Sequence, residues 1–177
     1  MLHVCPNFRD VGATVNAFAG STLLRERALL RGGKLDFVDD HEHVGSPRFI
    51  VNLRRGPDPD LGVATVQLAA DDRLENYNTA DPAVRRWLTR VLDALTSPSA
   101  NTPVLVHCAA GRDRTGVVVA AVLTSLGIPD ELIVADYLMT DGVKNEAPIR
   151  SALAGLSGFR TTLARYRAAL ASRFAAE

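Results

Sequence analysis

Val104-Leu-Val-His-Cys-Ala-Ala-Gly-Arg-Asp-Arg-Thr-Gly116 is the stretch on which the reading of this chain turns. Val104-Leu-Val106 is a short apolar run rich in β-branched residues, the pattern of a buried strand, and it ends at His107. A glycine-containing turn follows. From Arg114 to Leu126 the sequence is strongly apolar and closes at Gly127, a helix terminator. A strand that passes through a short loop into a helix aims successive backbone N–H groups and the positive helix end at one point, which makes an anion site. Cys108 opens that loop and Arg114 closes it, with five residues between them. A thiol in such a field is expected to be held as thiolate, the nucleophilic form. The planar fork of Arg114 suits two phosphate oxygens and the charge that develops in a transition state, a geometry lysine does not reproduce. Ala109, Ala110, Gly111 and Arg112 line the loop and are expected to bind phosphate with it. Thr115 is placed to donate its hydroxyl towards the sulfur, and His107 to orient the loop through hydrogen bonds. A lone buried cysteine is usually a small hydrophobe; the joint pattern between a strand and a helix is far more specific.

Outward from the loop, the surroundings are those of an α/β fold. Phe49-Ile-Val-Asn-Leu53 and Val63-Ala-Thr-Val-Gln-Leu68 read as strands, joined by the turn-rich Arg54-Arg-Gly-Pro-Asp-Pro-Asp60. Asp81 can cap a helix with Pro82 in its first position. Val84, Trp87, Leu88, Val91, Leu92 and Leu95 give that helix one apolar stripe. Pro129-Asp-Glu opens another helix through about Met139. Phe159, Leu163, Tyr166, Leu170 and Phe174 predict one last helix, whose opposite face carries Arg160, Arg165, Arg167 and Arg173 as a solvated surface. A hairpin is expected around Thr22–Arg31, within the first 45 residues, the least legible part of the chain. Strands followed by helices predict a central, mostly parallel sheet flanked by helices, in a single domain spanning residues 1–177.

The bulk composition excludes several classes. Lys+Arg and Asp+Glu balance at 20 each, so no global field selects nucleic acid or an anionic membrane. Two cysteines, Cys5 and Cys108, make no disulfide framework, which suits a reducing compartment. The first ten residues carry neither a basic start nor an apolar core, so no signal peptide is expected, and no apolar stretch reaches membrane-spanning length. A cytoplasmic protein without integral membrane association is the expectation.

His107-Cys-Ala-Ala-Gly-Arg-Asp-Arg-Thr-Gly116 resembles the signature loop of the protein tyrosine phosphatase superfamily, in particular its bacterial atypical tyrosine and dual-specificity branch, where the loop often reads HC-x-x-G-K-D-R-T-G. Pro6-Asn-Phe-Arg-Asp-Val-Gly12, Asn52-Leu-Arg54 and Ile133-Val-Ala-Asp-Tyr-Leu138 resemble other stretches of that branch. Ala13 stands where a second glycine is usual, Arg112 where lysine is common, and Asn52 where aspartate is usual. No helical lid of the kind some relatives carry is expected, so the site should be more open. The resemblance implies a dual-specificity-phosphatase-like fold and hydrolysis of phosphomonoesters through a phosphocysteine, with no metal or cofactor.

The leaving alcohol needs a general acid. Leu68-Ala-Ala-Asp-Asp72 follows a strand and precedes the Asp81 helix, where the superfamily places its acid loop, and Asp72 matches the spacing better than Asp71. Asp113, inside the signature loop, is the other candidate; its bland reading is a hydrogen bond that shapes the loop. His41-Glu-His43 has no further ligands at metal spacing and reads as a loop. Cys5 could pair with an oxidised Cys108. Three functions compete. The first is a phosphatase of phosphotyrosine in proteins, with phosphoserine and phosphothreonine as further substrates. The second is a phosphoinositide or inositol-phosphate phosphatase, for which Arg112 argues and the neutral Ala109 and Ala110 argue against. The third is a phosphate-binding module, which would not need the thiol. A sulfurtransferase also uses a cysteine in an anion loop, but the Arg-Thr-Gly ending suits phosphate better.

Overall fold

Residues 5–176 are described by the computed structural model. Val104–His107 forms the central strand of a five-stranded sheet, and everything else is arranged so that this strand delivers Cys108 to the sheet's end. In chain order the strands are Arg9–Asp10 (β1), Leu29–Gly32 (β2), Phe49–Asn52 (β3), Ala64–Gln67 (β4) and Val104–His107 (β5), and their order across the sheet is β1-β2-β5-β3-β4. All pairings are parallel except the β1–β2 edge. Gly32 and Asn52 flank His107 in register, so three strand ends converge beside the loop. Ligand sites of parallel sheets form at such carboxyl ends.

The helices are Val11–Ala19 (α1), Pro82–Thr96 (α2), Asp113–Leu126 (α3), Asp130–Leu138 (α4), Ala147–Ser157 (α5), Arg160–Ala164 (α6) and Arg167–Phe174 (α7). The large core lies on the sheet face they cover, where Leu29, Phe49, Val51, Val104 and Val106 point. Leu30, Ile50 and Leu105 point the other way, into a smaller cluster with Cys5, Leu35, Val38 and Val44, closed by loops and a 3₁₀ turn at His41–Val44. The α2 stripe is buried as its spacing predicts: Val84, Trp87, Leu88, Val91, Leu92 and Leu95, each worth about 1.5–3 kcal/mol. Asp81 caps it, accepting from the Ala83 and Val84 N–H groups. Every residue of α3 from Arg114 to Leu123 is buried, as a helix that is apolar all round must be. It is ringed by α2, α4, α5, α6 and α7.

Three expectations are corrected. There is no hairpin at 22–31: Leu29–Gly32 pairs parallel with β5, and Leu24 bridges to Ala175 near the far terminus. The expected last helix is two, α6 and α7, broken where Arg165 and Tyr166 donate to carbonyls three residues back. The apolar spacing survives the break because Phe159, Leu163, Leu170 and Phe174 all enter the same core. Arg173 is not part of a solvated face either; its guanidinium donates to the Thr96 and Ser97 carbonyls and closes the C-terminus of α2. Among the described residues no helix is long and apolar enough to cross a membrane.

Candidate active site

The loop from Cys108 to Arg112 hangs between β5 and α3 with its backbone pressed against β2. Gly111 has φ +68°, and a Cβ there would stand 2.6 Å from the Gly32 carbonyl carbon. Only glycine permits both the left-handed turn and that approach. The Cys108 N–H donates to the Gly32 carbonyl at 3.4 Å, while among the described residues the N–H groups of Ala109, Ala110, Gly111 and Arg112 donate to no protein acceptor. Cys108 is buried, and its thiol is free.

Arg114, in the first turn of α3, is 4% exposed. One guanidinium nitrogen donates to the Leu53 and Ala70 carbonyls at 3.3 and 3.2 Å, which fixes its direction. The other lies 3.2 Å from Asp72 Oδ1. Its Nε is buried and has no partner, an orphan donor of the kind an anion satisfies. The structure thus brings Asp72 to Arg114, on a side chain that is 68% exposed at the mouth of the site. Its neighbour Asp71 is held differently, by Arg55 and Arg73. The loop that carries both is tied down by Trp87 Nε1 on the Leu68 carbonyl at 2.9 Å and by Asn76 Nδ2 on the Asp71 carbonyl at 2.6 Å.

Asp113 sits in a network of its own. Its carboxylate accepts from Tyr77 OH at 2.8 Å and Arg112 Nε at 3.1 Å, and Tyr77 OH lies 2.7 Å from Tyr137 OH. Burial, the Tyr137 hydroxyl and the Asp113 charge push the Tyr77 phenol well above its ordinary value, so it remains a donor. The Asp113 bonds hold Arg112 charged and aimed along the rim. His107 is fully buried, with Nε2 2.8 Å from Asp58 Oδ2. Asp58 comes from the β3–β4 loop, which Asn52 shapes by donating to the Gly56 carbonyl and accepting the Arg54 N–H. The Thr115 hydroxyl lies 3.5 Å from the Gly32 carbonyl.

Sequence reasoning missed Asp58, Tyr77 and Arg31. Arg31 is fully buried in β2; it donates to the Gly111 carbonyl at 3.1 Å and pairs with Asp136 of α4. Arg9 reaches the same carboxylate at 2.9 Å. The signal was an arginine inside the apolar run Leu29-Leu-Arg-Gly-Gly33, where a charge must find a partner. Burial alone would raise the Asp136 carboxyl, but the two guanidinium groups outweigh it and hold it below the usual carboxylate range. Cys5 is buried beside Gly33, its thiol 3.5 Å from the Gly33 carbonyl, and burial pushes it up to about 11. His43 bonds Asp39, and among the described residues no His, Cys, Asp or Glu cluster has metal-binding geometry.

Comparison with known proteins follows the same lines. A sequence model of the tyrosine phosphatase family matches residues 55–174. Over 70 residues, 40% of this chain, the sequence is 46% identical to the triple specificity protein phosphatase PtpB of Mycobacterium tuberculosis; that stretch spans only 24% of the relative's own length. The core catalytic domain of the PP-IP phosphatase SIW14 from S. cerevisiae, solved with citrate, shares the fold at a TM-score of 0.61 and 16% identity, over 90% of this chain and 92% of that one. TpbA of P. aeruginosa does so at 0.54 and 20%, over 82% of this chain and 87% of that one.

Proposed function

Because the chain belongs to the tyrosine phosphatase family, we propose that it is a cysteine-dependent phosphomonoesterase acting on phosphotyrosine in proteins, with phosphoserine and phosphothreonine as further substrates. The observation that carries this reading is the buried, partnerless Nε of Arg114, six residues from a free Cys108 thiol across a loop of uncommitted N–H groups. A phosphoryl group seated there would accept from Arg114 and the loop N–H groups on its equatorial oxygens. In the first step the Cys108 thiolate attacks phosphorus; the S–P bond forms, the P–O ester bond breaks, and Asp72 gives its proton to the leaving oxygen. In the second, water attacks the phosphocysteine and loses a proton to Asp72, and the S–P bond breaks to return thiolate and phosphate. His107, held by Asp58, braces the strand end, and Thr115 ties the first turn of α3 to β2 through the Gly32 carbonyl. Asp113 acts by holding Arg112 rather than by exchanging protons.

A second reading, an inositol-phosphate or phosphoinositide phosphatase, is favoured by one feature. Arg112 and Lys144 both line a shallow cavity of about 370 Å³ beside the loop, with room for a second anionic group. The yeast structural relative is a PP-IP phosphatase. Phosphate release from an aryl phosphate, phosphotyrosine and phosphothreonine peptides and a phosphoinositide set, for wild type and Cys108→Ser with reductant and chelator, tests both. Turnover that survives chelator and vanishes in the variant is expected, with the preferred substrate deciding between the two. No release by folded, reduced protein would leave a phosphate-binding module in front.

A further inference from the structure

Three consecutive carbonyls of the signature loop are held from outside it. Ala109 O accepts from Lys34 N–H at 2.9 Å, Ala110 O from Asn7 Nδ2 at 2.8 Å, and Gly111 O from Arg31 Nη2 at 3.1 Å. The next, Arg112 O, accepts from Gly116 N–H at 2.8 Å. In a planar trans peptide the C=O and the following N–H point in opposite directions. Holding the carbonyls of residues 109 to 111 away from the pocket therefore aims the N–H groups of Ala110, Gly111 and Arg112 into it. A single peptide turned over would replace a donor with a carbonyl oxygen, which repels an anion.

Of the three donors one is backbone and two are side chains. Both side chains are themselves anchored. Asn7 has φ +56°, a left-handed conformation that asparagine tolerates, and its Oδ1 accepts the Asp141 N–H at 2.8 Å. Arg31 is locked by Asp136, which Arg9 also grips; Arg9 further donates to the Asp136 carbonyl at 2.7 Å and to Thr140 Oγ1 at 3.0 Å. Asn7, Arg9 and Arg31 all lie before residue 55, where the match to the family model starts.

We propose that Asn7 and Arg31 are positioning residues of the active site, which hold the Ala110 and Gly111 carbonyls outward and so make the loop an anion receptor. The role rests on the phosphatase reading above. The N-terminal segment is then a working part of the site, contributing to phosphate binding by holding the loop's peptides in place.

Asn7→Gly is the sharper test, because glycine keeps the left-handed backbone while removing all the side-chain bonds. Arg31→Met keeps the side chain's bulk and removes the donors. For wild type, each variant and the pair, the dissociation constant of inorganic phosphate is measured by protection of Cys108 from iodoacetate, alongside kcat and KM for an aryl phosphate and a thermal melt. A net hydrogen bond of about 0.5–1.5 kcal/mol corresponds to about 2- to 10-fold in affinity. Phosphate binding is expected to weaken by that factor in folded Asn7→Gly, and kcat/KM to fall at least as far. Folded Asn7→Gly that binds phosphate and turns over like wild type would overturn the role of Asn7. Arg31→Met with a lowered Tm but unchanged phosphate affinity would reduce Arg31 to a structural ion pair. Wild type that neither binds phosphate nor hydrolyses the ester would overturn the phosphatase reading, and this role with it.

Discussion

Replacing Asp72 with Asn separates the two candidate acids, because the structure gives Asp72 and Asp113 different surroundings. The Asp72 side chain is 68% exposed and makes one ion pair, 3.2 Å from Arg114. An exposed pair contributes at most about 1 kcal/mol, so the melting temperature of Asp72→Asn should hardly move. A general acid contributes about 10²–10⁴ in rate, which is about 3–5 kcal/mol of barrier. That loss appears only where the leaving oxygen needs a proton. With a phosphoserine peptide, kcat should fall by about 10²–10⁴, whereas with a phenyl ester activated by a nitro group it should fall less than about tenfold. Asp113→Asn should do the reverse. Asp113 is 15% exposed and accepts from Tyr77 and Arg112. Hydrogen bonds to a charged group contribute about 1.5–3 kcal/mol, so a drop of about 3–12 °C in Tm is expected. Its rate loss should be the same for both esters, since it acts through the placement of Arg112. Steady-state kinetics on the two esters with a paired thermal melt reads all four quantities. Equal losses on both esters in Asp72→Asn would refute the assignment; so would a leaving-group-dependent loss in Asp113→Asn at unchanged Tm.

Gly111→Ala and Gly62→Ala form a matched pair, since both glycines have φ near +68° but only Gly111 faces backbone within 3 Å, while nothing lies within 4 Å of Gly62. Gly62→Ala should cost about 1–2 kcal/mol of stability and leave kcat/KM unchanged, whereas Gly111→Ala should also lower kcat/KM more than about tenfold; equal kinetics for the two would count against the packed-loop argument. The Cys5 thiol is raised from 9.0 to about 11, so its stabilising contribution is present below pH 9 and lost as pH climbs through about 11. The difference in urea stability between wild type and Cys5→Ala should therefore shrink by about 2–3 kcal/mol across that window, and a constant difference would contradict the burial of Cys5. Asp136 is shifted the other way, so its contribution is present above the unfolded carboxylate value of about 3.9 and lost as pH falls through the lower folded value. Asp136→Asn should cost about 3–5 kcal/mol at pH 7 with the gap closing below about pH 4 in thermal melts; a gap that stays open would mean that the carboxylate is not what holds Arg9 and Arg31.

The parts of this fold that can be read in the sequence are those whose causes are local. The α2 stripe, its Asp81 cap and the Gly127 stop act within one element, and all three stand as their spacing predicts. Cys108 and Arg114 stand at the two ends of one loop within a single strand-loop-helix unit, so their placement is a local matter as well. The first third of the chain fails for the opposite reason. The strand at Leu29–Gly32 takes its partner from residues 104–107, and the charge of Arg31 is answered from residue 136. Residues 22–31 carry two apolar pairs, Leu23-Leu24 and Leu29-Leu30, about a charged Arg-Glu-Arg, which suit a hairpin as well as a parallel strand, and the choice rests on contacts far along the chain. The break between α6 and α7 carries no Gly or Pro, and its cause is the tightened turn at Arg165 and Tyr166 together with the bond from Tyr166 OH to Asp93.

A neutral chain that binds a dianion must concentrate its positive field, and the structure shows where that field is spent. Around the loop stand Arg9, Arg31, Arg112 and Arg114 against Asp72, Asp113 and Asp136, and the uncommitted loop N–H groups add their dipoles. Away from the loop the rim cations are already matched. Arg54 is held by Asp36 and Asp58, and Arg55 and Arg73 share Asp71. An incoming phosphoryl group therefore meets an unmet demand in the pocket, while the rest of an anionic substrate meets charges that must first leave their partners. On the function proposed above, a substrate with one phosphate on a neutral aryl or alkyl arm is expected to be turned over faster than a polyphosphorylated ring, for whose further charges Arg112 and Lys144 line the neighbouring cavity; faster release from the ring would overturn that expectation.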